Sequence, residues 1–538
     1  MTARTALRVT VGAATIAAMA LATGTALGTT STGPSTTTAP YVLPVASGVD
    51  ITSLFTVGDG AADNGFRMVG IPDGLGTYLD GDGNRVLLMN QEIGSAGTPA
   101  APLGTTRAHG QKGAFVSKLT LDSAGRVVSG EDFITSVTYY RYADGSYGSA
   151  PDDGTPAYFL RFCSGALTAP GQLLVGPGKD GNGEGQGRGN GKYGYAGQIY
   201  FANEENGAEG RAFGVTLNGH ATQLPALGKL SWENTLAAAN DTRTTLVMGD
   251  DDGATDASFL RIYHGTKTRE GSAVERAGLT NGVLSVLKVA GATKDSTFRT
   301  VYGAHNPQPF SLAHVDAYQT GAAQAAAATA AGGLGFTRIE DGAFNPENKN
   351  EYFFLTTEGG DKTAASTGSR DGGGLWKLTY ADVEHPELGG TLELLLDGSE
   401  SWGTGESRVN KPDNLTIDDA GNLLIQEDPG GNDHLSRILA YRLADGARGV
   451  VARFDPALFG VTNPAGTTPA TRAVLTTDEE SSGIITLPDG SYLFDAQVHT
   501  NKGLPTGTGP GTVEEFVERG QLLRMTVDDF DSVYTVTP

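Results

Sequence analysis

The chain has 538 residues with a formal net charge of −23 and a sequence pI near 4.7, which argues against a nucleic-acid or anionic-membrane partner, since both demand basic patches. Hydrophobic content of 38% and charged content of 18% describe a globular chain rather than a disordered polyelectrolyte. Gly numbers 78, roughly twice the usual share of about 7%, so tight turns are frequent and β-structure is favoured over helix.

At the N-terminus, Arg4 and Arg8 precede an alanine-rich apolar stretch ending in Ala26-Leu27-Gly28. Residues 1–28 read as a secretory signal peptide, so the mature chain is expected to be secreted. The two arginines are not adjacent, so a twin-arginine export route has no support here. Residues 29–40 (TTSTGPSTTTAP) read as a Thr/Pro/Ser-rich linker, and a single folded domain is expected over 41–538. No later segment has the roughly 18 apolar residues of a membrane span.

Along the folded part, turn signals alternate with short aliphatic runs. Asp80-Gly81-Asp82-Gly83-Asn84, Asp122-Ser123-Ala124-Gly125, Asp418-Asp419-Ala420-Gly421-Asn422 and Pro488-Asp489-Gly490 are hairpin loops. The first is not an EF-hand, because Arg85 stands where that loop needs Gly and Gln91 where it needs Glu. Six aliphatic runs end in acidic or amide residues: Asn90-Gln91-Glu92, Asn203-Glu204-Glu205, Asp250-Asp251-Asp252, Thr356-Thr357-Glu358, Gln426-Glu427-Asp428 and Asp495-Ala496-Gln497. Burying carboxylates at a strand end is costly unless cations compensate. Six such strands suggest an all-β fold, a six-bladed β-propeller with loop and short-helix insertions, around a cation-rich centre. The insertions are a Gly-rich stretch at 176–197 and an Ala run at 319–335 that favours a short helix closed by Gly-Gly.

Gly-x-Ser-x-Gly and HExxH motifs are absent, and the eight His are scattered. The metals implied are hard cations held by oxygen, Ca²⁺ first. Cys163, the single cysteine, excludes an intramolecular disulfide; beside many carboxylates its thiolate would add a site for iron. In Arg338-Ile339-Glu340-Asp341 a guanidinium and a carboxylate share one strand face, suited to an oxyanion and a metal or to a structural ion pair. Pro412-Asp413-Asn414 presents two oxygen donors in a turn, or a plain Asx-turn.

At these residues the chain resembles the PhoX-type alkaline phosphatases. The resemblance runs in order through Asn90-Gln91-Glu92, Phe162-Cys163-Ser164-Gly165-Ala166, Asn203-Glu204-Glu205, Trp232-Glu233, Gly249-Asp250-Asp251, Arg338-Ile339-Glu340-Asp341, Pro412-Asp413-Asn414 and Glu480-Ser481-Ser482-Gly483. It implies a central cluster of Ca²⁺ and Fe³⁺ bound by Cys163, Glu204, Glu205, Glu233, Glu340, Asp413 and Glu480, with Arg338 holding the phosphate. Glu92, Asp250, Asp251, Asn414 and Glu427 are secondary candidates. The implied protein is a monomer that hydrolyses small phosphomonoesters without a side-chain nucleophile. Gln91 and Trp232 stand where the family carries His, and Ile339 where it carries Pro. The alternatives are a calcium-dependent propeller hydrolase, such as a phytase or lactonase, and a non-catalytic calcium-stabilised binding propeller.

Overall fold

The computed structural model describes residues 28–176, 193–253, 256–357, 373–403, 406, 408–428, 430, 434–460 and 475–537. Most of the signal segment, most of the Gly-rich insertion and Glu358 lie outside them.

The fold is all-β and built from antiparallel meanders. The first contains Pro72–Leu79, Arg85–Gln91, Phe115–Leu121 and Val127–Asp132. The second contains Phe162–Leu167, Ile199–Glu204, Phe213–Thr216 and His220–Gln223. Trp232–Ala237 opens the third, which runs through Thr244–Asp251 and Arg261–Thr266 to Val283–Val289. Ile339–Asn345 opens the fourth, with Asn348–Thr356, Gly374–Tyr380 and Gly390–Asp397. Gln308–Val315 pairs with the outer strands of both, joining them into one nine-stranded sheet. The fifth runs Pro412–Ile417, Asn422–Glu427, Arg437–Arg442 and Arg448–Phe454. The sixth is Glu479–Thr486, Tyr492–Val498 and Arg519–Val527, completed by Val49–Thr56 from the N-terminal part. That last pairing ties the beginning of the described chain to its end.

The opening strand of each meander packs against the opening strand of the next, and the sixth packs against the first. These inner strands therefore form a closed ring. The aliphatic runs of the second strands, such as Leu87-Leu88-Met89 and Leu423-Leu424-Ile425, are buried between neighbouring sheets, as continuous apolar strands require.

Hairpin loops form where the sequence places them. Asp80 Oδ1 accepts the backbone N–H groups of Asp82 and Asn84, and Asp418 Oδ1 those of Ala420 and Asn422. The carboxylate of Asp80 thus serves its own turn, in keeping with the rejection of an EF-hand. The Ala run forms the helix Gly321–Ala330, capped by Thr320 and ended by Gly332 at φ 74°. One expectation needs correction. Thr29–Thr32, read as linker, adds in parallel to Val49–Thr56. An exposed edge strand needs only backbone pairing, so its lack of apolar residues was no bar.

Candidate active site

All six meanders repeat one local construction. The first residue of the inner strand pairs with the last residue of the second strand in all six: in the first five these are Pro72 with Gln91, Phe162 with Glu204, Trp232 with Asp251, Ile339 with Thr356 and Pro412 with Glu427. In the sixth, Glu479 pairs with Val498. In the first five the ladder breaks immediately afterwards, and such a bulge re-aims the next side chain. The next residues are Asp73, Cys163, Glu233, Glu340, Asp413 and, in the sixth, Glu480, each one buried.

A second set lies one residue beyond each second strand. There, Glu92, Glu205, Asp252, Thr357, Asp428 and His499 donate their backbone N–H to Ile71, Arg161, Ser231, Arg338, Lys411 and Asp478, each the residue before an inner strand. One cavity of about 500 Å³ is lined by members of all three sets. Ten carboxylates face it against Arg161, Arg338, Lys411 and His499.

The donor atoms of these side chains are close enough together that a metal ion could be shared between them. Asp73, Glu92 and Cys163 place one donor atom each within 4.8 Å of one another, as do Cys163, Glu205 and Glu233. Glu233, Glu340 and Asp413 form a third group, and Asp413, Asp428 and Glu480 a fourth. Shared members make the four groups one continuous chain across the ring.

Beneath them, polar side chains fix the geometry. The Asn414 amide donates to Ser164 Oγ at 2.6 Å, and Ser164 Oγ donates to Glu233 at 2.7 Å. Asn90 Nδ2 donates to the Cys163 carbonyl at 2.7 Å. Gln497 Nε2 donates to both Asp73 and Glu92.

Burial dominates the electrostatics. It raises Glu233 well above the usual carboxylate range, with the charges of Glu340 and Asp73 adding to the effect. Asp73, Glu205, Glu340 and Asp413 are raised mainly by burial, as is the Cys163 thiol. Burial and the charge of Glu480 push Asp428 to about 8. Asp413 Oδ1 is buried without a hydrogen-bond donor among the described residues, and Glu340 Oε1 is buried with the Arg338 guanidinium 3.3 Å away in an ion pair that is not a hydrogen bond. Crowded carboxylates of this kind bind protons or cations. An oxygen-rich set with one sulfur fits hard cations together with a metal that takes thiolate. The residues present therefore fit the implied calcium and iron.

Of the residues singled out in the sequence, Cys163, Glu205, Glu233, Glu340, Asp413, Glu480, Glu92 and Arg338 converge on the cavity. Five do not. Glu204 is held by the buried Arg211 at 2.6 and 2.8 Å, and Glu427 by the buried Arg437 at 2.7 and 2.8 Å. Burial opposes ionisation of Glu427, but Arg437 and His434 outweigh it and hold the carboxyl at about 2. Asp251 accepts the Phe259 N–H and faces Arg261. Asp250 takes the Tyr352 hydroxyl at 2.7 Å. Asn414 orients Ser164. The physical reason is strand alternation: Glu204 and Glu205, or Glu427 and Asp428, point to opposite sides.

Sequence reasoning missed Asp73, Arg161 and Lys411, and it named Asp252 and Asp428 only within the strand-end acidic clusters, not as site candidates. A signal existed for the cations. Arg161-Phe162-Cys163, Arg338-Ile339-Glu340 and Lys411-Pro412-Asp413 share a basic–apolar–ligand pattern.

An all-β enzyme with a carboxylate-lined central cavity is the class this geometry defines. Residues 189–500 match the family model described as alkaline phosphatase PhoX. Among solved structures, Pseudomonas fluorescens PhoX in complex with vanadate, a transition state analogue, aligns at a TM-score of 0.55 and 14% identity, covering 92% of this chain and 98% of that one. Penicillium chrysogenum α-L-arabinanase with arabinobiose aligns at a TM-score of 0.40 and 9% identity, over 91% and 99% of the two chains. A Xanthomonas campestris gluconolactonase aligns at 0.30 and 10%, over 86% and 99%. A search of curated proteins gives no match. The chain belongs to the PhoX family of alkaline phosphatases and is a phosphoric monoester hydrolase.

Proposed function

We propose that the protein is an exported, metal-dependent phosphatase that hydrolyses small phosphomonoesters at the centre of a single six-bladed β-propeller domain, using no side-chain nucleophile. The observation that carries this reading is the unbroken chain of four ligand groups running from Asp73 through Cys163 and Glu233 to Glu480. The closed ring of inner strands supports the blade count.

Calcium and iron would be held by Asp73, Glu92, Cys163, Glu205, Glu233, Glu340, Asp413, Asp428 and Glu480. When bound, they supply positive charge that stabilises the phosphoryl group in the transition state and activate water. The protein's own residues do the rest. Arg338, tied to Asp252 at 2.6 Å and to Glu340 at 3.3 Å, presents a fixed guanidinium for a phosphoryl oxygen. The charge of Glu340 is the largest influence keeping that guanidinium protonated. Asn414 and Ser164 hold Glu233 in one orientation, so the carboxylate does not reorganise as charge develops.

The test is chelation followed by assay with p-nitrophenyl phosphate, phytate and a lactone. Demetallation is expected to abolish phosphomonoester hydrolysis, and Ca²⁺ with Fe³⁺ to restore it. Activity that survives complete demetallation refutes the proposal. Preference for phytate or the lactone would reassign the substrate.

A further inference from the structure

We infer that Arg161 is a second guanidinium of the phosphoryl site, gripping the substrate from the side opposite Arg338; this rests on the phosphatase reading. Three observations carry it. Arg161 and Arg338 occupy the same position in the second and fourth meanders, one residue before the inner strand and two before the ligands Cys163 and Glu340. Both adopt left-handed backbone, at φ 47° and 54°, a conformation that is unfavourable for a non-glycine residue and persists where the surroundings demand it. Both use the same edge of the guanidinium. Nε and Nη2 of Arg161 hold Glu205 at 2.9 and 2.5 Å, and Nη2 also meets Glu92 at 2.7 Å. Nε and Nη2 of Arg338 hold Asp252 at 2.6 and 3.1 Å.

The placement brackets the cluster. Glu205, the partner of Arg161, shares a ligand group with Glu233, and Glu233 shares the next with Glu340, a partner of Arg338. The two guanidinia thus stand on either side of Glu233, in the meander between them. Each has five N–H donors, and Nη1 takes no part in the contacts above. The Arg161 side chain is 48% exposed and lines the cavity, as expected of a group that waits for an anion rather than one that only fastens carboxylates. A tetrahedral phosphoryl group offers oxygens to both sides at once, whereas a neutral ester such as a lactone has no use for the pair.

The experiment measures inorganic phosphate binding to the metal-loaded protein by calorimetry, with metal content and p-nitrophenyl phosphate kinetics on the same samples. R161A is expected to weaken phosphate binding and raise KM by about ten- to a hundred-fold with metal content intact. R161K, which keeps the charge but loses the fork, should fall between. Unchanged phosphate affinity in R161A overturns the inference. Should R161A lose metal, R161K decides: weakened phosphate binding at full metal content supports the inference, and wild-type affinity overturns it. Phosphate binding that depends on Arg161 in a protein that turns over no phosphomonoester would sink the phosphatase reading and leave the anion site standing.

Discussion

Glu204 and Glu205 are neighbours in sequence with opposite assignments, so exchanging each for glutamine separates scaffold from site. Glu204 and Arg211 are both nearly inaccessible, joined by two short contacts, and Arg211 also donates to the Pro156 and Tyr158 carbonyls. Glu204→Gln keeps the shape and strands a buried guanidinium on neutral oxygens. Breaking such a pair costs about 3–5 kcal/mol. Unfolding entropy of about 2.1 cal/mol/K per residue over roughly 500 residues is about 1 kcal/mol/K, so Tm should fall by about 3–5 °C. The metal content of the folded fraction should not change. Glu205→Gln removes one carboxylate from the group with Cys163 and Glu233. Its partner Arg161 is half exposed and keeps Glu92, so Tm of the metal-free protein should barely move, while metal content and turnover fall. Calorimetry on chelated protein and elemental analysis on loaded protein read both quantities. Loss of metal without loss of Tm in Glu204→Gln, or the reverse in Glu205→Gln, would refute the assignment.

Cys163→Ser should lower iron content and turnover while calcium is retained, because serine offers no thiolate; equal iron in both proteins would contradict the assignment. Arg338→Ala should raise KM or lower kcat without loss of metal, read by steady-state kinetics beside elemental analysis. Stability of the metal-free protein should decline as pH rises. Unfolded carboxylates titrate near 4, whereas in the folded chain Asp428 and Glu479 titrate at about 8, both because of burial. Folding thus retains protons that the unfolded chain releases, and stability present below about pH 4 is lost progressively toward pH 8. Bound cations should flatten the trend, and a metal-free Tm that climbs over this range would contradict it.

The β-architecture was legible because each strand is an aliphatic run closed by a turn whose Asp or Gly has a local job, as at Asp80 and Asp418. Six of the seven metal ligands implied by the resemblance fall in the cavity, since each sits at the second position of an inner strand or just past a second strand. Asp73 was overlooked although Pro72-Asp73-Gly74 has the same Pro-Asp construction as Pro412-Asp413-Asn414. Glu204, Asp251 and Glu427 lie outside the cavity for a different reason. Acidic doublets at a strand end carry no mark of which member faces inward; the arginine opposite decides, and Arg211, Arg261 and Arg437 come from the next strand or the loop before it. Arg161 carries its mark in the basic–apolar–ligand pattern, which gains meaning once the register places Phe162 and Ile339 at the same point of their meanders.

Elemental analysis of purified, active protein beside its Glu233→Gln and Asp413→Asn variants tests the central convergence most directly, because these two residues join neighbouring ligand groups. Several calcium and iron ions per wild-type chain, with a marked loss of both metals and activity in either variant, is the predicted result. Fully active protein with no stoichiometric metal, or variants that keep the full complement, would contradict it.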